Sequence, residues 1–152
     1  MTRAASAESA RSRVTASLRV GSVMPLTRSA TGGAFLAFLP RAQTAPELAR
    51  ELREQARQGL RPSTPAEAER WIALTRRQGY AHSRDFIPGI SGIAAPVYDH
   101  SGAMVLALVA LGYSTPFEAE FPRIRSSVLR CAKALCARLG QNGSGARTPE
   151  RA

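Results

Sequence analysis

The side chains that most often do acid–base chemistry are few in this chain of 152 residues. It has two histidines, His82 and His100, and two aspartates, Asp85 and Asp99. Each histidine has an aspartate within three residues, so either pair could orient an imidazole for general acid–base catalysis. Both pairs fall at predicted strand ends or turns, where exposed polar side chains are ordinary. Because no nucleophile, base and orienting group converge along the sequence, we do not expect an enzyme.

A glycine-containing loop offers a binding site instead. Residues 30–33 (ATGG) lead directly into a predicted helix. Free backbone N–H groups and the helix dipole at such a position suit an anion such as a carboxylate. The alternative is that Gly32 and Gly33 only permit a tight helix entry and close packing. The local sequence leaves both interpretations open.

The two cysteines, Cys131 and Cys136, stand five residues apart in a predicted helix. That spacing separates their side chains by about 140° around the axis, so they neither form a disulfide nor share a metal easily. No other cysteine or histidine supplies the spacing of a metal site. We predict two small buried hydrophobic residues in a reducing compartment, and we expect neither a metal nor a cofactor.

The chain is strongly basic, with 21 Lys and Arg against 11 acidic residues and a net charge of +10. This charge first suggests nucleic acid as a partner. The charge is spread out, however, and residues 86–122 contain three acids and no base. Because no block of five or six like charges occurs, we do not predict a dedicated nucleic-acid patch.

Composition also excludes other classes. A hydrophobic content of 44% excludes wholesale disorder. The uncharged stretch 104–115 is shorter than the roughly 20 residues of a membrane span, and the N-terminus has no apolar region of a secretory signal. We therefore expect a cytoplasmic protein that does not associate with membranes.

The elements that must position these residues lie between two segments predicted to be disordered, 1–12 and 141–152. Residues 13–140 are predicted to form one domain. A β-branched run, Val14 to Val23, predicts a strand. The first helix, ended by Pro40, has Ala30, Ala34 and Phe38 on one face.

Two further helices have start and stop signals. Thr44 and Glu47 form a predicted capping box, with Gly59 at the helix end; its inward residues are Leu48, Leu52 and Ala56. Thr64, Pro65 and Glu67 repeat the pattern before Gly79; the inward residues there are Ala68, Trp71, Ile72 and Thr75.

The second half of the chain predicts strands and a final helix. The strands are Tyr80 to Ser83, Ile90 to Tyr98 and Met104 to Leu111, and Pro96 implies an edge or a bulge. The final helix runs from about Pro122 to Leu139; its inward residues are Ile124, Val128, Cys131, Leu135 and Leu139. This order predicts an α+β fold, a mostly antiparallel sheet with packed helices.

Several ordered motifs resemble the C-terminal effector-binding domain of the IclR family of bacterial transcriptional regulators. They are residues 18–26 (LRVGSVMPL), 29–40 (SATGGAFLAFLP), 76–81 (RRQGYA) and 88–99 (PGISGIAAPVYD), followed by 101–112. The resemblance covers about 14–140. It implies a GAF-like fold, a small-molecule pocket, and dimers or tetramers that bind promoter DNA through a separate N-terminal winged helix-turn-helix.

The chain departs from the family in two respects. It has no helix-turn-helix segment and begins partway into the effector domain, so we expect it to be N-terminally truncated relative to the family. Promoter DNA would then be bound only through the missing N-terminal domain. Family members also usually have Lys where this sequence has Gly33.

The resemblance also implies an effector site. Its backbone amides would be those of Ala30 and Thr31, with Gly32 in the same loop, and Asp85 lies near an acidic position of the family. The side chains that would line the rest are those of Ile90, Gly92, Val109 and Leu111. Because small-keto-acid binders of the family have Cys and Ser in this wall, its apolar character here predicts a larger aromatic or aliphatic acid as effector.

The sequence thus predicts the ligand-sensing domain of an IclR-type regulator rather than an enzyme. The alternative is a stand-alone GAF-like module for protein interaction or dimerisation without a ligand. Ligand-induced thermal stabilisation separates the two hypotheses, since only a specific binder is stabilised by mass action.

A prediction about DNA follows from the missing recognition helix. We expect this chain to bind DNA only through its arginines, with an affinity that falls steeply with salt and ignores sequence. Electrophoretic mobility shifts with promoter and scrambled fragments, at low and physiological salt, measure this. Tight binding to one promoter over random DNA at physiological salt would contradict it.

Overall fold

The computed structural model describes residues 21–62 and 64–141. These residues form five helices and three strands, in the order α1 (Ala30–Phe38), α2 (Arg41–Gln58), α3 (Pro65–Gln78), β1 (Ala81–Ile87), β2 (Ile90–Tyr98), β3 (Met104–Tyr113), α4 (Ser114–Ala119) and α5 (Phe121–Arg138). The strands form one antiparallel sheet in the order β1-β2-β3. The predicted α+β fold with packed helices is confirmed. Among the described helices, none has the length and apolarity needed to cross a membrane.

Helix α1 lies between the sheet and helices α2 and α3. On one side Ala34 packs in a cluster with Ala81 and Ala94 of the sheet. On the other side Leu36 and Ala37 join a cluster with buried residues of α2 and α3. Small residues dominate the helix because both of its sides are covered at close range.

The opposite face of the sheet packs against α4 and α5. Ile93, Ala95 and Val97 alternate along β2 and point to this face, where they form a buried cluster with residues of the two helices. The residues contributed by the helices are Phe117, Val128, Ala132 and Cys136. Since β2 is buried on both faces, it is the strand that joins the two halves of the core.

Helix α2 begins before its predicted capping box, so that prediction was wrong. The helix starts at Arg41, directly after Pro40, which places Thr44 and Glu47 inside it. Pro40 has the φ of −56° that its ring imposes, and the chain turns into the helix at this residue. Thr44 is then buried on the inward face and does not cap the helix end.

The buried face of α2 also differs at its last turn. Leu48 and Leu52 are buried as predicted, but Gln55 is buried in place of Ala56, which is exposed. Gln55 is accommodated because its Nε2 donates to Thr27 Oγ1 at 2.9 Å. The predicted C-terminal glycine is confirmed, since Gly59 has a φ of 67°.

Helix α3 has the predicted capping box. Thr64 Oγ1 accepts from the backbone N–H of Glu67 at 3.3 Å, and Glu67 Oε2 accepts from the backbone N–H of Thr64 at 3.1 Å. Pro65 opens the helix and Gly79 ends it, as predicted. Of the predicted inward residues, all are buried except Trp71, which is partly buried.

The sheet matches the predicted strands with one difference. Strand β2 has the predicted bounds, but β1 continues past Ser83 to Ile87 through an irregular stretch in which Asp85 has a φ of 49°. Pro96 lies beyond Ala94, the last residue of β2 paired with β1. On that side it therefore borders no described strand, in agreement with the predicted edge.

Two features of the C-terminal half differ from the predictions. Helix α4 was not predicted, and Cys131 of α5 is exposed, which makes its predicted burial wrong. The buried stripe of α5 is Val128, Ala132 and Cys136, at successive steps of four residues. Cys131 lies three residues beyond Val128, and Leu139 is 41% exposed at the helix end.

Some predicted segments lie outside the described residues. They are residues 1–12, all of 141–152 except Gln141, and most of the predicted strand Val14 to Val23. The last three residues of that strand, 21–23, are described and form no strand.

A stability prediction follows from the start of α1. A Cβ at Gly32 would lie 2.3 Å from the carbonyl oxygen of Pro25 and 2.5 Å from the Cα of Leu26. Because these are backbone atoms, we expect Gly32→Ala to lower the free energy of unfolding by roughly 3 kcal/mol or more. The control is Gly59→Ala, whose Cβ meets nothing within 4 Å and whose positive φ costs about 1 kcal/mol. Equal losses in urea denaturation would contradict this explanation.

Candidate functional site

The N-terminal end of α1 borders a small closed cavity at which five of the predicted site residues meet. They are Ala30 and Thr31 of α1, Ile90 and Gly92 of β2, and Leu111 of β3. The cavity volume is about 10 Å³, about the space that one water molecule needs. A larger ligand enters this place only if lining side chains move.

Sequence reasoning missed six residues that line the same cavity. They are Met24, Ser29, Ser83, Phe86, Ile87 and Ser91. Met24 comes from the irregular segment before α1, and Phe86 and Ile87 follow the irregularity of β1, so no periodic pattern pointed to them. Ser29 had a local signal, because a serine directly before a predicted helix is typical of an N-cap.

The first turn of α1 leaves two N–H groups available. The Ser29 hydroxyl accepts from the N–H of Gly32 at 2.9 Å, and the Ser29 carbonyl accepts from that of Gly33 at 2.9 Å. Among the described residues no acceptor is bonded to the N–H of Ala30 or Thr31. Since the N-terminus of a helix carries positive partial charge, these two groups suit one carboxylate.

Leu111 fills the space that the missing side chain of Gly92 leaves. The two residues are partners in the β2–β3 register. A Cβ at Gly92 would lie only 2.6 Å from Leu111 Cδ2 and 3.7 Å from Ala30 Cβ. The leucine side chain therefore lies over the glycine, on the side of the sheet where α1 begins.

Three predicted site residues do not line this cavity. Gly32 packs against the backbone of residues 25 and 26. Val109 pairs with Ala94 and packs in the cluster between α1 and the sheet. Asp85 lies exposed in the β1–β2 hairpin, where its Oδ1 accepts from Ser114 Oγ at 2.6 Å.

The histidine–aspartate pairs considered as catalytic groups do not form in the structure. His82 Nε2 lies 3.0 Å from Glu118 Oε1, and its ring stacks on Phe121 at a centroid distance of 4.1 Å. Asp99 accepts from the N–H of Ser101 at 2.8 Å within its own turn, beside the exposed His100. Among the described residues no three acidic, histidine or cysteine side chains are grouped to hold a metal.

The carboxylate of Glu118 links β1 to α4. Its Oε2 lies 3.0 Å from Arg84 Nε, opposite the contact with His82. Burial raises the pKa of the Glu118 carboxyl, but hydrogen bonds from Ser91 and His82 and the charges of His82 and Arg84 outweigh burial. The pKa of Glu118 therefore lies below its ordinary value of 4.5.

Comparison with protein families gives one match over most of the chain. The family described as bacterial transcriptional regulator IclR C-terminal matches residues 5–137. No curated protein sequence matches the chain significantly.

Solved structures give further matches. HmgR of Pseudomonas aeruginosa is 32% identical with a TM-score of 0.68, and the match covers 84% of this chain and 50% of that one. The C-terminal domain of a putative transcriptional regulator from Vibrio cholerae is 31% identical, with a TM-score of 0.54 over 74% and 64% of the two chains. The repressor BlcR of Agobacterium tumefaciens is 26% identical, with a TM-score of 0.60 over 81% and 51%. This chain thus spans about half the length of the HmgR and BlcR chains.

A pH dependence is expected from Glu118. A carboxyl group whose pKa is lower in the folded state stabilises the fold fully above its unfolded value, and this stability is lost as the pH falls through the folded value. We therefore expect Glu118→Gln to remove part of the decline in melting temperature as the pH falls below 4.5. Glu120→Gln is the matched control, because Glu120 is an exposed neighbour whose Oε2 pairs with Arg123. Identical pH profiles for wild type and Glu118→Gln would contradict the prediction.

Proposed function

Because the chain belongs to the IclR family of bacterial transcriptional regulators, whose C-terminal domain it represents, we propose that it binds a small carboxylic acid and acts as the sensing domain of such a regulator. The observation that carries this proposal is the pair of available N–H groups, on Ala30 and Thr31, at the edge of an apolar cavity. A carboxylate at this place would accept from both N–H groups and lie at the positive end of α1.

The lining of the cavity supports an acid with an apolar body. Met24, Phe86, Ile87, Ile90 and Leu111 supply apolar side chains, and no lysine or arginine lines the cavity. Polar groups are limited to hydroxyls and backbone amides, which orient a ligand without a second full charge. This composition favours an aliphatic or aromatic monoacid over a dicarboxylate.

The rest of the regulator enters the proposal through the family. We infer that the whole protein binds promoter DNA through a winged helix-turn-helix and assembles as a dimer or tetramer. The domain described here would sense its ligand without transforming it. This agrees with the separation of His82 from Asp85, because each is bonded to a different partner.

A second candidate function has one observation in its favour. The closed cavity of about 10 Å³ suits a GAF-like module that serves dimerisation or protein interaction and binds no ligand. The two functions differ in thermal shift measurements with a panel of carboxylic acids. A specific acid at about one hundred times its Kd stabilises the fold by about 2.7 kcal/mol, whereas a module without a site is not stabilised.

A substitution at Thr31 tests the anion site directly. Thr31→Asp places a second carboxylate at the N-terminal turn of α1, where the helix dipole tolerates it and the fold is kept. We expect its charge to weaken the binding of acids at least about tenfold, since like charges in contact repel strongly. Isothermal titration calorimetry of wild type and variant measures the loss.

The neutral variant Thr31→Asn is the matched control, because it has nearly the same shape as Thr31→Asp without the charge. It should retain most of the wild-type affinity. If Thr31→Asp binds every acid as tightly as Thr31→Asn, the anion is not bound at α1. If no acid of a broad panel binds wild type, the alternative module is supported.

A further inference from the structure

Leu111 is the residue that separates the closed cavity from an open groove. The cavity of about 10 Å³ lies on one side of it, at the start of α1. On the other side lies a groove of about 630 Å³ between β3 and the helices α4 and α5, which Leu111 also lines together with Tyr113, Phe117 and Ile124. A volume of several hundred Å³ is typical of a small-molecule site, whereas the cavity alone is far too small.

The side chain of Leu111 has room to move outward. It is 49% exposed and lies on β3, which borders no second strand on its outer side among the described residues. Its Cδ2 occupies the place of the missing Gly92 side chain. When the leucine rotates away from Gly92, this place becomes continuous with the groove.

Movement elsewhere in the cavity wall would disrupt more contacts. Phe86 belongs to the β1–β2 hairpin, which is held to α4 by three hydrogen bonds. Asp85 Oδ1 accepts from Gly89 N at 3.1 Å and from Ser114 Oγ at 2.6 Å, and Ser114 N donates to Gly89 O at 2.8 Å. Rotation of Leu111 breaks no hydrogen bond, because its side chain is apolar. Leu111 is therefore the side chain whose movement opens the cavity most easily.

We propose that Leu111 gates the effector site from the groove between β3 and α5 and sets the size of the acid that the site admits. This inference rests on the proposed function, since it takes the carboxylate to lie on the N–H groups of Ala30 and Thr31. With Leu111 inward, only a very small acid fits after minor adjustment of the walls. With Leu111 outward, the apolar body of a larger acid extends past Gly92 into the groove.

The test compares acetate, benzoate and 2-naphthoate by calorimetry and stopped-flow binding to the full chain. We expect Leu111→Ala to raise the affinity for the two aromatic acids about tenfold or more and to leave that for acetate nearly unchanged, as the loss of apolar bulk from a pocket wall predicts. Leu106→Ala is the matched control, because Leu106 is a leucine of the same strand, 41% exposed, that lines neither the cavity nor the groove. It should keep the wild-type order of affinities.

A second variant keeps the inference testable if Leu111→Ala folds poorly. Leu111→Ile retains volume and strand preference but is stiff at χ1, so we expect slower association of 2-naphthoate with little change for acetate. If wild type binds acids and both Leu111 variants keep its size profile and rates, the gate is overturned while the anion site stands. If wild type and every variant bind no acid at all, the proposed function and the gate are overturned together.

Discussion

The close approach of α1 to the chain that precedes it is the constraint on which the rest of the structure depends. At Gly32 the helix lies so near the backbone of Pro25 and Leu26 that no side chain fits between them. One turn further into the helix, the ring of Trp71 lies over Gly33, where a Cβ would be 2.0 Å from Cη2. The two glycines thus allow α1 to lie deep between the sheet and α3, with its N-terminal end directed at the cavity. The glycine loop therefore serves packing as well as the proposed anion site.

The segment against which Gly32 packs is itself held by α2. Glu51 Oε2 accepts from the backbone N–H of Leu26 at 2.6 Å, and its Oε1 accepts from that of Thr27 at 2.8 Å. Gln55 donates to the Thr27 hydroxyl from the next turn of the same helix. A carboxylate that binds two backbone N–H groups replaces the hydrogen bonds which an irregular segment cannot make to itself. Helix α2 thereby fixes Met24, which lines the cavity, relative to α1.

A series of polar contacts connects the other wall of the cavity to the C-terminal helices. Ser91, fully buried in β2, donates to Ser114 Oγ at 3.0 Å, and Ser114 in turn donates to Asp85. On the same side of the sheet Glu118 binds His82, whose ring stacks against Phe121 of α5. The hairpin, the central strand and the start of α5 are thus coupled through short contacts. A change of side-chain position at the cavity is therefore one or two contacts away from the surface formed by α4 and α5.

The sequence by itself determined the elements whose signals are local. The capping box at Thr64, the glycine at the end of α2, the bounds of β2 and the start of α1 all depend on neighbouring residues, and the structure agrees with each. Five cavity residues could be named in advance because the family motifs contain them. Tertiary structure alone decided that Met24 and Phe86 complete the cavity. It also decided that His82 binds Glu118, 36 residues away, rather than the nearby Asp85. The reason is physical: such contacts depend on how α4 docks on the sheet, which no periodicity or spacing within one segment encodes.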